Sequence, residues 1–314
     1  MSSKKKKKIL ITGAQGDVAQ SICKTIRQTY NSNVLIEGLD IIKSGPSDFI
    51  FDKIYLSPKT STSYYITMIK KIEKNYDLII PTTEIEIKIF SENEKIFKHA
   101  LVLINNKKII NIFLSKISTH VFLKSNKIYP PKFSIPLNLI KKYKEPFFLK
   151  TIYGYGNKKY QLIDSKSKFS KLKILKKKDW MAQEYFGEKY DEYTCCVIKL
   201  KDFISTIILK RKLKGGITYF AEKIKNNKLE ESLKKIAKIT NLNGSINVQL
   251  KIYKNKISIF EINPRLSSTV MMRHMLGFKD CIWWIEFLLN KKIPRKFKIK
   301  DNKIYKILEE KFVH

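Results

Sequence analysis

Glu261 and Asn263 alternate with apolar residues in Phe260-Glu261-Ile262-Asn263-Pro264-Arg265, which puts both on one face of a strand. The stretch before it alternates in the same way. Ile246, Val248, Leu250 and Ile252 share one face, and Asn247 and Gln249 share the other. A turn at Lys254-Asn255-Lys256, centred on Asn255, would set Gln249 opposite Glu261 and Asn247 opposite Asn263. One carboxylate and three amides then gather on a single face of a sheet. A buried carboxylate needs a partner, because an unpaired charge in an apolar strand is costly. Acid and amide oxygens together suit Mg²⁺, which takes few protein ligands and shares the rest with phosphates. Arg265 adds a planar fork suited to a phosphate or carboxylate. A merely solvated hairpin face would favour Lys and Glu over amides.

Other segments carry complementary chemistry. Phe147-Phe148-Leu149-Lys150 is an apolar strand ending in a lysine, followed by Gly154-Tyr155-Gly156-Asn157-Lys158. A fixed cation beside a glycine turn suits a polyphosphate, since glycines let backbone amides approach closely. Alone, the same pattern is also an ordinary β-hairpin. Trp180 to Gly187 reads as a strand running into a loop, whose backbone edge beside Tyr185 and Phe186 could hold a flat base. Glu192 opens the next strand and could accept a ribose hydroxyl. Lys210-Arg211-Lys212-Leu213-Lys214-Gly215-Gly216 is a cationic strand end with a flexible loop, suited to an anion or to solvent.

These strands must be held by a larger frame. Residues 8–105 alternate strand and helix: Lys8–Thr12, a helix over Val18–Tyr30 capped by Asp17, Val34–Gly38 ending at Asp40, a helix over Ser63–Asn75, Asp77–Pro81, a helix over Glu84–Lys98, and Leu101–Ile104. That alternation predicts a parallel sheet covered on both faces. Pro81-Thr82-Thr83-Glu84 falls at a strand's carboxyl end, where open α/β sheets bind ligands, and is a substrate-side candidate. Gly13-Ala14-Gln15-Gly16 with Asp40 invites a dinucleotide reading, but Val18 and Ala19 break the glycine fingerprint, so a structural turn is favoured. Residues 106–135 read as helical. From Pro146 the chain turns to short strands (147–151, 160–163, 180–185, 193–200, 203–211), a helix over 229–240, the hairpin, and helices over 269–276 and 280–289. The basic tail, 291–314, has no assigned structure.

The length of 314 residues allows two or three domains, and 43% hydrophobic content argues against disorder. No apolar run approaches a membrane span, and the lysine run before Ile9 lacks the features of a signal peptide, so a cytoplasmic protein without membrane contact is expected. Cys23, Cys195, Cys196 and Cys281 have neither metal nor disulfide spacing; the adjacent pair should point to opposite faces of a strand as small core residues. The formal charge of +35 is spread as lysine along the whole chain, which makes nucleic acid an improbable main partner. Arginine is rare, and Arg211 and Arg265 lie in the candidate segments, where bidentate geometry would matter.

Taken in order, these motifs resemble the ATP-grasp superfamily, on the branch similar to the carbamoyl-phosphate synthase large subunit and related carboxylate–amine ligases. The resemblance spans roughly residues 8–290 and is strongest at Asn247-Val248-Gln249 and Phe260 to Arg265. It implies an α/β fold: a Rossmann-like pre-ATP-grasp domain (1–105), then an ATP-grasp domain of two α+β subdomains (106–290, lid about 145–186), with 291–314 as a basic extension. It also implies roles. Lys150 would contact the α- and β-phosphates, with Lys116 as a second phosphate-side cation. Gly154 and Gly156 would belong to the lid loop. Gln183, Glu184 and Phe186 would line the adenine pocket, and Glu192 would bind ribose. Gln249, Glu261 and Asn263 would hold two Mg²⁺ (or Mn²⁺), with Glu261 bridging. Arg265 and Arg211 would stabilise the transferring phosphoryl group. Ser115-Lys116 stands where such proteins often have Asp-Lys, and the lid loop has only two glycines. The implied activity is ATP-dependent amide formation between a small carboxylate and an amine, an amino acid or amino sugar included, in a possible homodimer. The rival readings are an ATP-binding protein of this fold without ligase chemistry, a basic nucleic-acid-binding protein, and an oxidoreductase using the Gly13–Gly16 turn.

Overall fold

The computed structural model describes residues 6–134, 146–154, 160–165, 179–187, 189–254 and 256–307. Its first unit is a parallel sheet of β1 (Lys7–Thr12), β2 (Val34–Asp40), β3 (Lys53–Leu56), β4 (Leu78–Ile80) and β5 (Leu101–Val102), in the order β3-β2-β1-β4-β5. Both faces are covered, which is why β1 is apolar at successive positions rather than alternate ones. Ile9 and Ile11 pack into one core with α1 (Asp17–Tyr30), while Leu10 packs into another, reached by Tyr65 and Ile69 of α2 (Ser63–Ile72) and Phe90 of α3 (Glu84–Glu92).

Two helix ends depart from expectation. The N-cap of α1 is Gly16, not Asp17, and its side chain supplies no cap. Asp17 sits instead in the first turn, where the helix dipole favours an acid, and pairs with Lys306. Helix α3 stops at Glu92 rather than running to Lys98, with a 3₁₀ turn over residues 94–96 beyond it. Its start is well defined. Thr83 accepts the Glu86 amide and Glu86 reaches back to the Thr83 amide, a reciprocal capping box.

The region expected to be helical after residue 106 is two helices, α4 (Lys107–Leu114) and α5 (Lys116–Ser125), followed by a short strand, β6 (Phe133–Ser134). That strand joins β7 (Phe147–Thr151), β8 (Tyr160–Ile163) and β9 (Trp180–Glu184) in a small sheet ordered β6-β9-β7-β8. A six-stranded antiparallel sheet follows, ordered β14-β13-β10-β11-β12-β15. Its members are β10 (Asp191–Leu200), β11 (Phe203–Lys214), β12 (Ile217–Lys223), β13 (Gly244–Tyr253), β14 (Lys256–Asn263) and β15 (Lys303–Tyr305). The sheet is buried on both faces. Cys195 faces the core under α6 (Asn227–Ile239), and its neighbour Cys196 faces the core shared with α1, α7 (Val270–Met275) and α8 (Asp280–Asn290). The fold class is therefore α/β, a parallel sheet followed by antiparallel sheets. Among the described residues, no helix is long and apolar enough to cross a membrane.

Candidate active site

Strands β13 and β14 set Gln249 opposite Glu261 and Asn247 opposite Asn263. The reason differs from a turn centred on Asn255. Near the turn the pairs are Tyr253–Lys256, Ile252–Ile257, Lys251–Ser258 and Leu250–Ile259, a register that would have set Phe260 against Gln249. A bulge intervenes, Phe260 becomes the extra residue, and Glu261 moves into its place. Without the bulge Phe260 and Glu261 would face opposite sides of the sheet. With it, both line the same cavity.

That cavity has a volume of about 340 Å³ and lies between the small and the large sheet. Its wall is aromatic at Phe148, Phe186 and Phe260 and cationic at Lys116, Lys150 and Lys251. Lys150 enters from β7, and its Nζ lies 5.9 Å from the centre of the Phe260 ring, within cation–π range. Removal from water pulls the Lys150 ammonium down to about 7; Glu261 opposes that shift and Lys116 adds to it. Lys116 is the first residue of α5, whose preceding Ser115 accepts the Ser118 amide as cap and bridges to Tyr153. The amide of Lys116 donates to the Ile152 carbonyl at 3.0 Å, so helix and strand end are tied together. Gly154 follows directly. A Cβ there would stand 2.7 Å from Glu84 Oε2 and 3.4 Å from Lys116 Nζ, so a larger residue would push the Glu84 carboxylate aside. Gly156 lies outside the described residues.

Gln183 and Phe186 line the cavity and are buried. The side-chain oxygen of Gln183 has no partner among the described residues. Glu184 points elsewhere. Its carboxylate pairs with Lys256 at 2.9 Å and accepts the Lys132 amide at 3.2 Å, so the wall expected from Gln183, Glu184 and Phe186 is made by the first and third. Glu192 also lines the cavity, but it is engaged by Arg211, which donates to it from Nη2 at 2.6 Å and from Nε at 3.2 Å. The same Nη2 reaches the Gln249 oxygen at 3.0 Å. The residues read as ribose acceptor, phosphoryl cation and metal ligand thus form one hydrogen-bonded set. Asn263 is buried two pairs along from Glu261. Asn247 is buried too and accepts the Thr194 hydroxyl at 2.9 Å, which makes it support rather than a group facing the cavity.

Arg265 leaves the end of β14 and meets the N-terminal unit. Its Nη2 lies 3.4 Å from Glu84 Oε1, its Nη1 donates to the Leu266 carbonyl, and its Nε has no partner among the described residues. Arg265, Glu84 and Gly154 also line a second cavity of about 630 Å³ at the carboxyl ends of β1, β2 and β4, together with Thr82 and Thr83. Gly13 forms part of its floor at φ +63°, hard against Thr82 and Thr83. Asp40 is there as well, but Oδ2 accepts the Gln15 amide and Oδ1 the Ile42 amide, so it closes its own turn.

Sequence reasoning missed Phe260 and His120. Strict alternation places Phe260 on the wrong face. His120 is fully buried in α5, with Nε2 3.2 Å from the Phe260 carbonyl, and burial pushes it down to about 3, so it is neutral and can donate there.

A small four-stranded sheet faces a six-stranded one across a cavity with a buried lysine, behind an N-terminal parallel sheet. That fold is shared with solved synthetases and carboxylases, and the C-terminal part of the chain matches an ATP-grasp family model. Residues 176–310 match the family described as ATP-grasp in the biosynthetic pathway with Ter operon. Among solved structures, the chain is similar to N5-carboxyaminoimidazole ribonucleotide synthetase from Thermus thermophilus, with TM-score 0.74 at 11% identity over 94% of this chain and 81% of that one. The ADP complex of N5-carboxyaminoimidazole synthetase from Staphylococcus aureus gives TM-score 0.72 at 16% identity, covering 93% and 80%. The biotin carboxylase domain dimer of Hydrogenobacter thermophilus 2-oxoglutarate carboxylase, bound to MgADP, ADP and bicarbonate, gives 0.71 at 14%, covering 96% and 73%. No curated protein matches the chain in sequence.

Proposed function

We propose that the protein is an ATP-dependent ligase joining a small-molecule carboxylate to an amine. The observation that carries this reading is the first cavity, where Lys116, Lys150 and Glu261 meet beneath the aromatic walls of Phe186 and Phe260. The residues fit a nucleotide. The buried, unpartnered oxygen of Gln183 calls for a donor, which the exocyclic amine of adenine supplies. The three lysines suit the phosphates. Gln249, Glu261 and Asn263 carry the acid and amide oxygens that suit Mg²⁺ and would hold it, two ions on the reading we infer, once the Gln249 oxygen is released from Arg211. Bound there, the metal would neutralise charge on the phosphates. Similar folds crystallised with ADP and MgADP support both ligands.

In the proposed reaction a carboxylate oxygen attacks the γ-phosphorus, ADP leaves, and an acyl phosphate forms. The amine, having lost its ammonium proton to solvent, attacks the acyl carbon; the C–N bond forms, the bond from that carbon to the phosphate oxygen breaks, and phosphate departs as the nitrogen sheds its second proton. The chain's own contribution is placement and electrostatics. Lys150 and Lys116 hold phosphate oxygens, and Arg265 stands between the two cavities where the acyl phosphate would lie. Arg211 is freed from Glu192 when that carboxylate turns to ribose. We assign residues 1–105 to the pre-ATP-grasp domain, 106–290 to the ATP-grasp domain with its lid over about 145–186, and 291–314 to an extension. The substrates are a small carboxylate and an amine; the family description supports a biosynthetic setting, and the dimeric biotin carboxylase domain supports a homodimer.

The test is ADP release over pooled carboxylic acids and amines. Wild type should release ADP only with a matching pair, and Glu261→Gln should lower the rate by about 100-fold or more. If no pool stimulates turnover while Mg·ADP still binds, the protein is an ATP-binding module and the ligase reading fails.

A further inference from the structure

The two cavities share Glu84 and Gly154 but are built with opposite charge. Lys and Arg make up 63 of 314 residues, so a wall of any size should carry several. The nucleotide cavity does, with Lys116, Lys150 and Lys251. The second cavity, nearly twice as large, has no lysine among its described lining residues. Its cation is Arg265, and that is offset by Glu84 at 3.4 Å. Asp40, whose oxygens accept the Gln15 and Ile42 amides, has no cationic partner among the described lining residues, and Glu86 lies deeper, occupied by the Tyr65 hydroxyl at 2.7 Å and by Thr83. The rest of the wall is hydroxyl and apolar, Thr60 and Thr82 among it. In a chain of charge +35, a cavity whose described lining carries the acid oxygens of Asp40 and Glu84 and no lysine disfavours an anion. The position is fixed independently by topology. It opens at the carboxyl ends of parallel strands and adjoins the phosphate side of the nucleotide cavity through Gly154.

We infer that the amine substrate binds in this cavity as a cationic, unphosphorylated amine, with its nitrogen beside Glu84 and Asp40. This rests on the ligase reading, since it names that reaction's second substrate. A phosphorylated amine would set its phosphate against Asp40 and Glu84 with only a paired arginine to receive it. Discrimination against like charge of this kind is large enough to separate the two classes.

The experiment uses the full chain with Mg·ADP and matched amines, each with and without phosphate: ethanolamine and O-phosphoethanolamine, glucosamine and glucosamine 6-phosphate, and a panel of amino acids with their phosphorylated counterparts. Binding is read by calorimetry. The unphosphorylated member of at least one pair should bind about tenfold or more tightly than its partner. Asp40→Asn should weaken it, and Thr60→Lys, which adds a cation at the wall without touching the Asp40 turn, should shift preference toward the phosphorylated member. Tighter binding of phosphorylated amines by wild type, equal binding within every pair, no binding of any unphosphorylated amine, or a preference unmoved by Thr60→Lys would each overturn the inference. Mg·ADP binding and ADP release are scored separately. A working ligase that prefers phosphorylated amines sinks this inference alone, whereas loss of all turnover sinks the ligase reading.

Discussion

Lys150 carries the most perturbed charge in the nucleotide cavity. Burial lowers its ammonium to about 7, so above that pH the lysine of the unliganded protein loses its proton. A phosphate group arriving beside it restores the charged form, because an opposite charge raises a lysine pKa. Nucleotide binding at pH 8 should therefore take up close to one proton. Calorimetry in buffers of different ionisation enthalpy will measure this, and Lys150→Met should abolish the uptake. Affinity should also weaken as pH rises through 7, by up to about tenfold per unit from this group. A pH-independent affinity between 6 and 9 would remove Lys150 from the phosphate site. The place of Lys150 near the end of a buried strand was legible in the sequence, although the same lysine before glycines also fits an ordinary hairpin, and only the order of the other motifs singled it out. Glu184 was less so. Its place in the strand is right, but an outward lysine, Lys256, takes its charge, and no local pattern announces a partner 72 residues away.

At the scale of elements, the bulge at Phe260 decides the site. A bulged residue loses its place in the ladder, so its carbonyl needs another donor, and His120 supplies one. Replacing His120 with Ala should cost about 1–3 kcal/mol of stability and weaken Mg·ADP binding, while Asn, which can still donate, should recover part of both. The pH dependence has a definite sign. The folded-state pKa is about 3, against 6.5 for the free side chain, so only the unfolded chain takes up this proton between those values. The contribution of His120 is full above pH 6.5 and falls by about 1.4 kcal/mol per unit below it, until pH 3. Denaturation at pH 7 and pH 5 should show that slope in wild type and a shallower one in His120→Asn; equal slopes would contradict the assignment. The hairpin's strands and polar face could be read from alternation, but the bulge could not, because no residue type marks it. Strand β12 had a usable signal, Gly215-Gly216 between alternating segments, whereas the edge strands β3 and β15 are short and largely exposed and carry almost none.

Over the whole molecule, a buried ion pair joins the six-stranded sheet to the helices that cover the N-terminal unit. Arg273 of α7 meets Asp280 of α8 through Nε at 3.1 Å and Nη2 at 2.8 Å, and both side chains are 1% exposed. Asp280 also accepts from Ser245 of β13, Cys196 of β10 donates to it, and Arg273 reaches Ser267 and Thr269 just after the Asn263–Arg265 turn. Helices α7 and α8 in turn pack against α1, and Met271 donates its amide to Ser21 there. One network therefore braces β10, β13, the Arg265 segment and the parallel sheet together. Removing one partner leaves a buried charge without compensation, so Arg273→Leu should destabilise by about 3–5 kcal/mol. The double variant Arg273→Leu with Asp280→Leu removes both charges and should recover a substantial part of that loss. Urea denaturation of the two single variants and the double variant forms the complete cycle. If the losses simply add, the pair is not coupled and the brace between site and frame is packing alone.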